Sequence, residues 1–195
     1  MKARITFIEP ILGTWPNNPE IASDFIASKA VDASTIEDEI AAIGVDGVVE
    51  KGMTVFPKLD DGTPFLYDYQ IKGFFKDACG MLARVKAKKS SGLKAYKKII
   101  DGLIFVEPRR IPILGFDKVG SCERPLRAQT AQGERVSLAN SEQIPAGAFV
   151  ELEINCLDPA HEAVVLEWLD YGKLRGIGQW RNSGKGRFTY EIIEQ

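Results

Sequence analysis

The chain has 195 residues, 45% of them hydrophobic and 27% charged, with a formal net charge of −2. This is the composition of a globular protein, and no apolar run approaches the length that spans a bilayer. The total excludes a uniformly basic polyanion binder, yet the charge is unevenly spread: residues 1–71 sum to −7, 72–110 to +8, 111–172 to −6 and 173–195 to +3.

ARITFI (Ala3–Ile8) reads as a first strand, closed by Pro10, Gly13 and Pro16. Glu9 and Pro10 stand where a secretory signal would be apolar, so an intracellular, cytoplasmic location is expected. Asn18-Pro19 is a helix start, and Ser34-x-x-Glu37 is a capping box ahead of Ile36, Ile40 and Ile43. These two acidic helices, within 19–43, read as part of an insertion over about 14–50. MTVFPKLDDGTPFLYDY reads as a hairpin turning at Asp60-Asp61-Gly62.

The clearest helix follows. Ile71, Phe74, Phe75, Ala78 and Leu82 share one face, with Lys72 and Lys76 off it and Gly73 inside it at a cost of about 1 kcal/mol relative to Ala. ARVKAKKSSGLKAYKK then reads as a mobile basic loop or a frayed helix end over about 84–98. LIFVEP and RRIPIL are strand candidates. In AFVELEINCL, Val150, Leu152, Ile154 and Cys156 alternate with Glu151, Glu153 and Asn155, the pattern of a strand with one buried face. Asp158-Pro159 opens a helix with Val165, Trp168 and Leu169 on one side, and RFTYEIIE is a last strand. Without its insertions the order is a βαββαβ, ferredoxin-like (RRM-like) α+β plan, an antiparallel sheet with two helices on one face, in one domain over 1–195. Cys79, Cys122 and Cys156 are far apart and odd in number, with one histidine in the chain and no CxxC. Neither a disulfide framework nor a metal site is expected, and no cofactor.

Between the last helix and the last strand lies GIGQWRNSGKGRF (Gly176–Phe188), with four glycines and the cations Arg181, Lys185 and Arg187. Glycine admits positive φ and lets a ligand approach the amides, which suits phosphates. It is neither a P-loop nor a dinucleotide fingerprint, because it follows a helix and opens a strand. An extended phosphate backbone therefore fits better than a single nucleotide.

LRGIGQWRNSGKGRF resembles the C-terminal glycine-rich loop, G-x-G-x(5)-G-x-G, of the RAMP superfamily, the RNA-binding backbone subunits and guide-processing endoribonucleases of CRISPR effector systems. Gly176, Gly178, Gly184 and Gly186 fit it. YQIKGFFKDAC resembles the strand-to-helix entry of the backbone subunits at Lys72-Gly73. RAQTAQGERVSLANSEQIPAGAFVELEI resembles their following segment at Arg127, Thr130-Ala131, Glu142 and Pro145-x-Gly147. The resemblance implies a ferredoxin-like fold and a single-stranded RNA or DNA partner, with RNA favoured. It also implies assembly with itself or with other subunits along the strand, in a CRISPR subunit or a stand-alone or virus-encoded relative. Lys72 and Lys76, the Arg84, Lys86, Lys88 and Lys89 clamp, and Arg181 and Lys185 would then track phosphates, and Trp180 or Phe74 would stack on bases.

No aspartate after the first strand matches the family's catalytic one, since Asp24 and Asp32 fall in helical or capping positions; no cleavage activity is carried over. His161, the only histidine, leaves a metal-independent endoribonuclease as an alternative. The acidic helices leave a protein–protein module, such as a viral counter-defence mimic, as another.

Overall fold

The computed structural model describes residues 1–17, 53–130 and 133–194, with backbone alone for 126–130 and 133–138. The helices expected within 19–43 lie outside the described residues. The chain divides into two compact units: Met1–Ile11, Pro57–Lys118 and Ile144–Gln195 form the first, and Leu12–Phe56 with Val119–Gln143 form the second.

The first unit is built on a four-stranded antiparallel sheet. Its strands are β1 (Lys2–Phe7), β6 (Ile104–Glu107), β10 (Phe149–Cys156) and β11 (Phe188–Glu194), in the order β11-β1-β10-β6. One helix, α1 (Asp68–Leu82), lies between β1 and β6 in the chain, and another, α3 (Glu162–Arg175), between β10 and β11. Alternation sets the faces. Ala3, Ile5 and Phe7 of β1, with Val150, Leu152 and Ile154 of β10, are buried; Lys2, Arg4, Glu151 and Glu153 point the other way.

The helices cover the apolar face. Ile71, Phe74, Phe75, Ala78, Cys79 and Leu82 of α1 are buried, as the periodicity predicts, and so are Val164, Val165, Trp168 and Leu169 of α3. Gln70 accepts a hydrogen bond from the Tyr67 amide at 2.8 Å and satisfies one donor at the start of α1. The core closes on aromatic rings: Phe74 meets Phe188 edge-on at 5.2 Å, and Phe75 packs on Trp168 at 5.4 Å. Phe74 is thus a core residue, 2% exposed, and is not placed to stack on a base.

A short helix, α2 (Tyr96–Leu103), stands in what the sequence reads as a basic loop. Beyond β6 the chain leaves the sheet: β7 (Arg110–Pro112) pairs with β5 (Phe65–Tyr67), and Leu114 then rejoins β10 at Phe149. This detour frames an open cavity of about 790 Å³, lined among others by Lys2, Asp68, Lys72, Phe105, Arg109 and Glu153. The hairpin expected at Asp60-Asp61-Gly62 is present and short: the Leu59 amide donates to the Thr63 carbonyl at 2.8 Å and the Phe65 amide to the Pro57 carbonyl at 3.0 Å, around Gly62 at φ 85°. Phe65 then continues into β5, which pairs with β7.

The second unit centres on a long antiparallel pair, β8 (Gly120–Thr130) and β9 (Gly133–Ile144). Its sheet also contains β2 (Ile11–Leu12), β3 (Trp15–Pro16) and β4 (Thr54–Val55), with β4 parallel to β9 at Thr54 and Ser141. Glu142 earns its place structurally, for its carboxylate accepts from the Phe56 amide at 2.8 Å and its carbonyl from the Gly13 amide at 2.9 Å.

Gly172 of α3 has an ordinary helical backbone, but a Cβ there would overlap the buried Phe188 ring. Gly172→Ala is expected to cost about 1–3 kcal/mol through overpacking. Urea unfolding would show it as a lowered midpoint at unchanged slope.

Candidate nucleic-acid interface

The glycine-rich loop folds onto itself. Gly176, Gly178, Gly184 and Gly186 have φ of 77°, 87°, 88° and 69°, all left-handed. The two limbs cross backbone to backbone: the Ile177 amide donates to the Gly186 carbonyl at 2.9 Å, and a Cβ on Gly186 would collide with the Ile177 carbonyl oxygen. The Gly186 amide donates to Pro10, and the Arg187 carbonyl accepts from Ile8 and Glu9. The amides of Ser183 and Gly184 close a turn on Trp180 and Arg181. Much of the amide surface that the sequence offers to phosphates is therefore spent inside the loop. What the loop presents is side chains. Trp180, at φ 56°, is 40% exposed.

The cations of the candidate site sort by whether an acid holds them. Arg181 pairs with Asp77 of α1 at 2.9 Å, beside Arg175, which reaches the same oxygen at 2.8 Å. Arg187 pairs with Glu9 at 3.0 Å. Lys76 pairs with Asp101 of α2 at 2.6 Å. Lys72 donates to the Asp101 carbonyl at 3.2 Å and lies over the Phe105 ring at 5.1 Å. Lys185 is half-buried. Lys72 and Lys76 thus turn toward α2, whereas Asp77 turns toward α3 and the glycine loop. The sequence reading set Lys72, Lys76 and the loop on one wall; the structure sets them on two flanks of α1.

The basic segment behaves otherwise. Arg84, Lys86, Lys88 and Lys89 are exposed, as are Lys94, Lys97 and Lys98, which sequence reasoning left out of the site. Among the described residues Arg84, Lys86, Lys88, Lys94, Lys97 and Lys98 make no ion pair. The expected mobile loop is docked. A 3₁₀ turn, Lys89–Gly92, buries Ser90, whose hydroxyl accepts from the Trp168 indole at 3.0 Å and donates to Glu167 at 2.7 Å. Glu167 also receives the amides of Lys89 and Ser90. Burial alone would raise the Glu167 pKa; these three hydrogen bonds and nearby Lys88 outweigh it and hold the carboxyl below its ordinary value.

The outer face of the sheet is the wrong sign for phosphates. Arg4 is held between Glu151 at 2.6 Å and Glu191 at 3.2 Å, and Glu107 and Glu153 are exposed beside them. His161 caps α3 and is half-buried. Its Nδ1 has no partner among the described residues, and no acid, Lys or Tyr is hydrogen-bonded to the ring. Cys79, Cys122 and Cys156 are free thiols, and burial raises the pKa of Cys79 and of Cys156. Among the described residues no helix is long and apolar enough to cross a membrane.

No protein-family model matches the chain, and no curated protein matches it. Solved structures share its fold. A chain in the cryo-EM structure of the type III-B Cmr-beta bound to cognate target RNA aligns over 99% of this chain at 9% identity, with a TM-score of 0.53. This chain spans 58% of that chain's length. The crystal structure of Cmr6 from Pyrococcus furiosus aligns over 98% of this chain and 97% of its own, at 10% identity and a TM-score of 0.46. The fold is a mixed α+β one with antiparallel sheets, like that of the matching chain in the Cmr-beta structure.

Two readouts follow from the Ser90 anchor. Ser90→Ala leaves the buried Trp168 N–H without an acceptor and is expected to cost about 1–3 kcal/mol in chemical unfolding. Glu167 has a folded pKa below its unfolded value of about 4.3, so its stabilisation is complete above that value and is lost as pH falls through the folded pKa. Amide exchange at 89–92 should accelerate over that acid range in the parent, and Glu167→Gln should be fast at every pH.

Proposed function

We propose that the chain is a RAMP-type, non-catalytic protein that binds single-stranded RNA and assembles with itself or with other subunits along the strand. The carrying observation is the exposed basic segment, six of whose cations make no ion pair among the described residues, in a chain of net charge −2. A cation already paired must exchange one anion for another to bind phosphate; an unpaired one releases only counterions. The strand is accordingly assigned first to Arg84, Lys86, Lys88, Lys94, Lys97 and Lys98, with Lys89 and the glycine loop flanking them and Trp180 as the exposed ring for stacking.

The fold reading is ferredoxin-like: β1-α1-β6-β10-α3-β11 with sheet order β11-β1-β10-β6 is the corresponding element order, in one RAMP-like domain carrying insertions. The strand runs on the helical side, because the sheet's outer face is lined by carboxylates. The RNA in the Cmr-beta structure supports RNA over DNA. The non-catalytic reading rests on the sequence, in which no aspartate after the first strand matches the catalytic one that the RAMP resemblance implies.

Fluorescence anisotropy of labelled single-stranded RNA across a salt series tests the reading. The parent should bind with a slope of about −0.7 per phosphate contacted. Lys94→Glu/Lys97→Glu/Lys98→Glu should weaken binding at least about thirtyfold, and Lys72→Glu several times less. A folded parent that shows no salt-sensitive binding at low salt sinks the reading.

A further inference from the structure

At the C-terminal end of α3, one oxygen of Asp77 accepts Arg175 Nε at 2.8 Å and Arg181 Nη1 at 2.9 Å. Arg175 Nη1 also donates to the Asn182 side chain at 2.8 Å. Two guanidiniums therefore share one carboxylate, and the cluster keeps a positive charge in excess. Arg175 Nη2 and Arg181 Nε and Nη2 have no further partner among the described residues. All three side chains remain accessible, at 26%, 31% and 20% exposure. The exposed carbonyls of a helix C-terminus repel an anion, so any anion held there is held by these side chains.

We propose that Arg175 and Arg181 form a two-guanidinium fork for one phosphodiester of the bound strand, with Asp77 as the positioning residue that holds both arginines in place. This rests on the RNA reading above and adds a second contact point to it. The chemistry is that of fork-shaped donors on a planar pair of oxygens, which favours arginine over lysine. Asp77 brings together two like charges that would otherwise separate. The fork is also distant from the basic segment. That segment is tied to α3 through Glu167, and Arg175 lies eight residues further on, about 12 Å along the axis. A strand touching both must run along α3.

The proposal reverses the sign that net charge alone predicts. Removing an acid from a phosphate site should tighten binding by simple electrostatics; removing the acid that holds the fork should loosen it. The test is the same anisotropy salt series with Asp77→Asn and Arg175→Lys. Both are expected to bind about five- to tenfold more weakly and to lose about 0.7 from the salt slope, the share of one phosphate on a single strand. Arg175→Lys keeps charge and helix propensity, so it stays informative if Asp77→Asn is poorly folded. A general loss of structure would weaken binding without that one-phosphate change in slope. Tighter binding by Asp77→Asn, or no effect of either substitution, overturns the fork. The Lys94/Lys97/Lys98 variant is measured alongside. If it loses binding while the fork variants do not, the fork falls and the RNA reading stands. If the parent binds no RNA, both fall.

Discussion

Where Gly176 and Ile177 cross Gly186, only a hydrogen atom fits between the two limbs of the loop. A Cβ on Gly176 would lie 2.6 Å from the Lys185 carbonyl oxygen, and one on Gly186 would run into that of Ile177. The crossing lets the chain leave α3 and turn at once into β11, which runs the length of β1. It delivers Phe188 under Gly172 and against Phe74, so the aromatic core between helices and sheet depends on it. Glycines suited by type to bind phosphate are here required by the fold itself. The candidate side chains Trp180 and Arg181 then stand in the tip between the limbs of this crossing.

A second constraint sorts the positive charge. The chain has 25 Lys and Arg against 27 Asp and Glu, so nearly every cation has an acid available. Yet the acids at Glu9, Asp77, Asp101 and Glu151 take cations from elements they pack against, and among the described residues six cations of the basic segment make no ion pair. Unpaired exposed charges repel one another at the screened distances of a surface, where an ion pair is worth less than about 1 kcal/mol. Six of them are kept within 84–98, a segment fastened to Trp168 and Glu167 by the Ser90 hydroxyl and to Glu167 by the Lys89 and Ser90 amides.

Local patterns were legible in the sequence, and long-range partners were not. The apolar stripe of α1, the alternation of β10 and the Asp158-Pro159 helix start each act within a few residues, and each is found where its pattern puts it. The helix α2 was hidden because KAYKKII reads by charge as solvated loop, although Tyr96 and Ile100 lie four residues apart on one face. The β8–β9 pair was hidden for another reason: Pro125 and many polar residues blunt the alternation over residues 120–144. Glu142 stood out only through a family motif, and its two bonds to Gly13 and Phe56 explain what it does there. For the candidate site, the basic run was visible as charge. Nothing local distinguishes Lys76, which is paired, from Lys97, which makes no ion pair among the described residues. Asp77 and Arg175 carry no signal at all, because their contact spans 98 residues.

The acidity of the chain then acquires a physical reading. Within about 8 Å, the screening length at physiological salt, a strand feels the patch it faces and little of the total. On the outer face of the sheet it meets Glu107, Glu151, Glu153 and Glu191 around Arg4. Along the helices it meets lysines. A uniformly basic protein would hold a polyanion in many orientations. One with a repelling sheet and a single attracting side admits it in few. Orientation matters for a subunit that repeats along a strand, because each copy must take it up in the same sense. It is the opposition between these two faces of the first unit, more than the chain's total charge, that a nucleic acid would read.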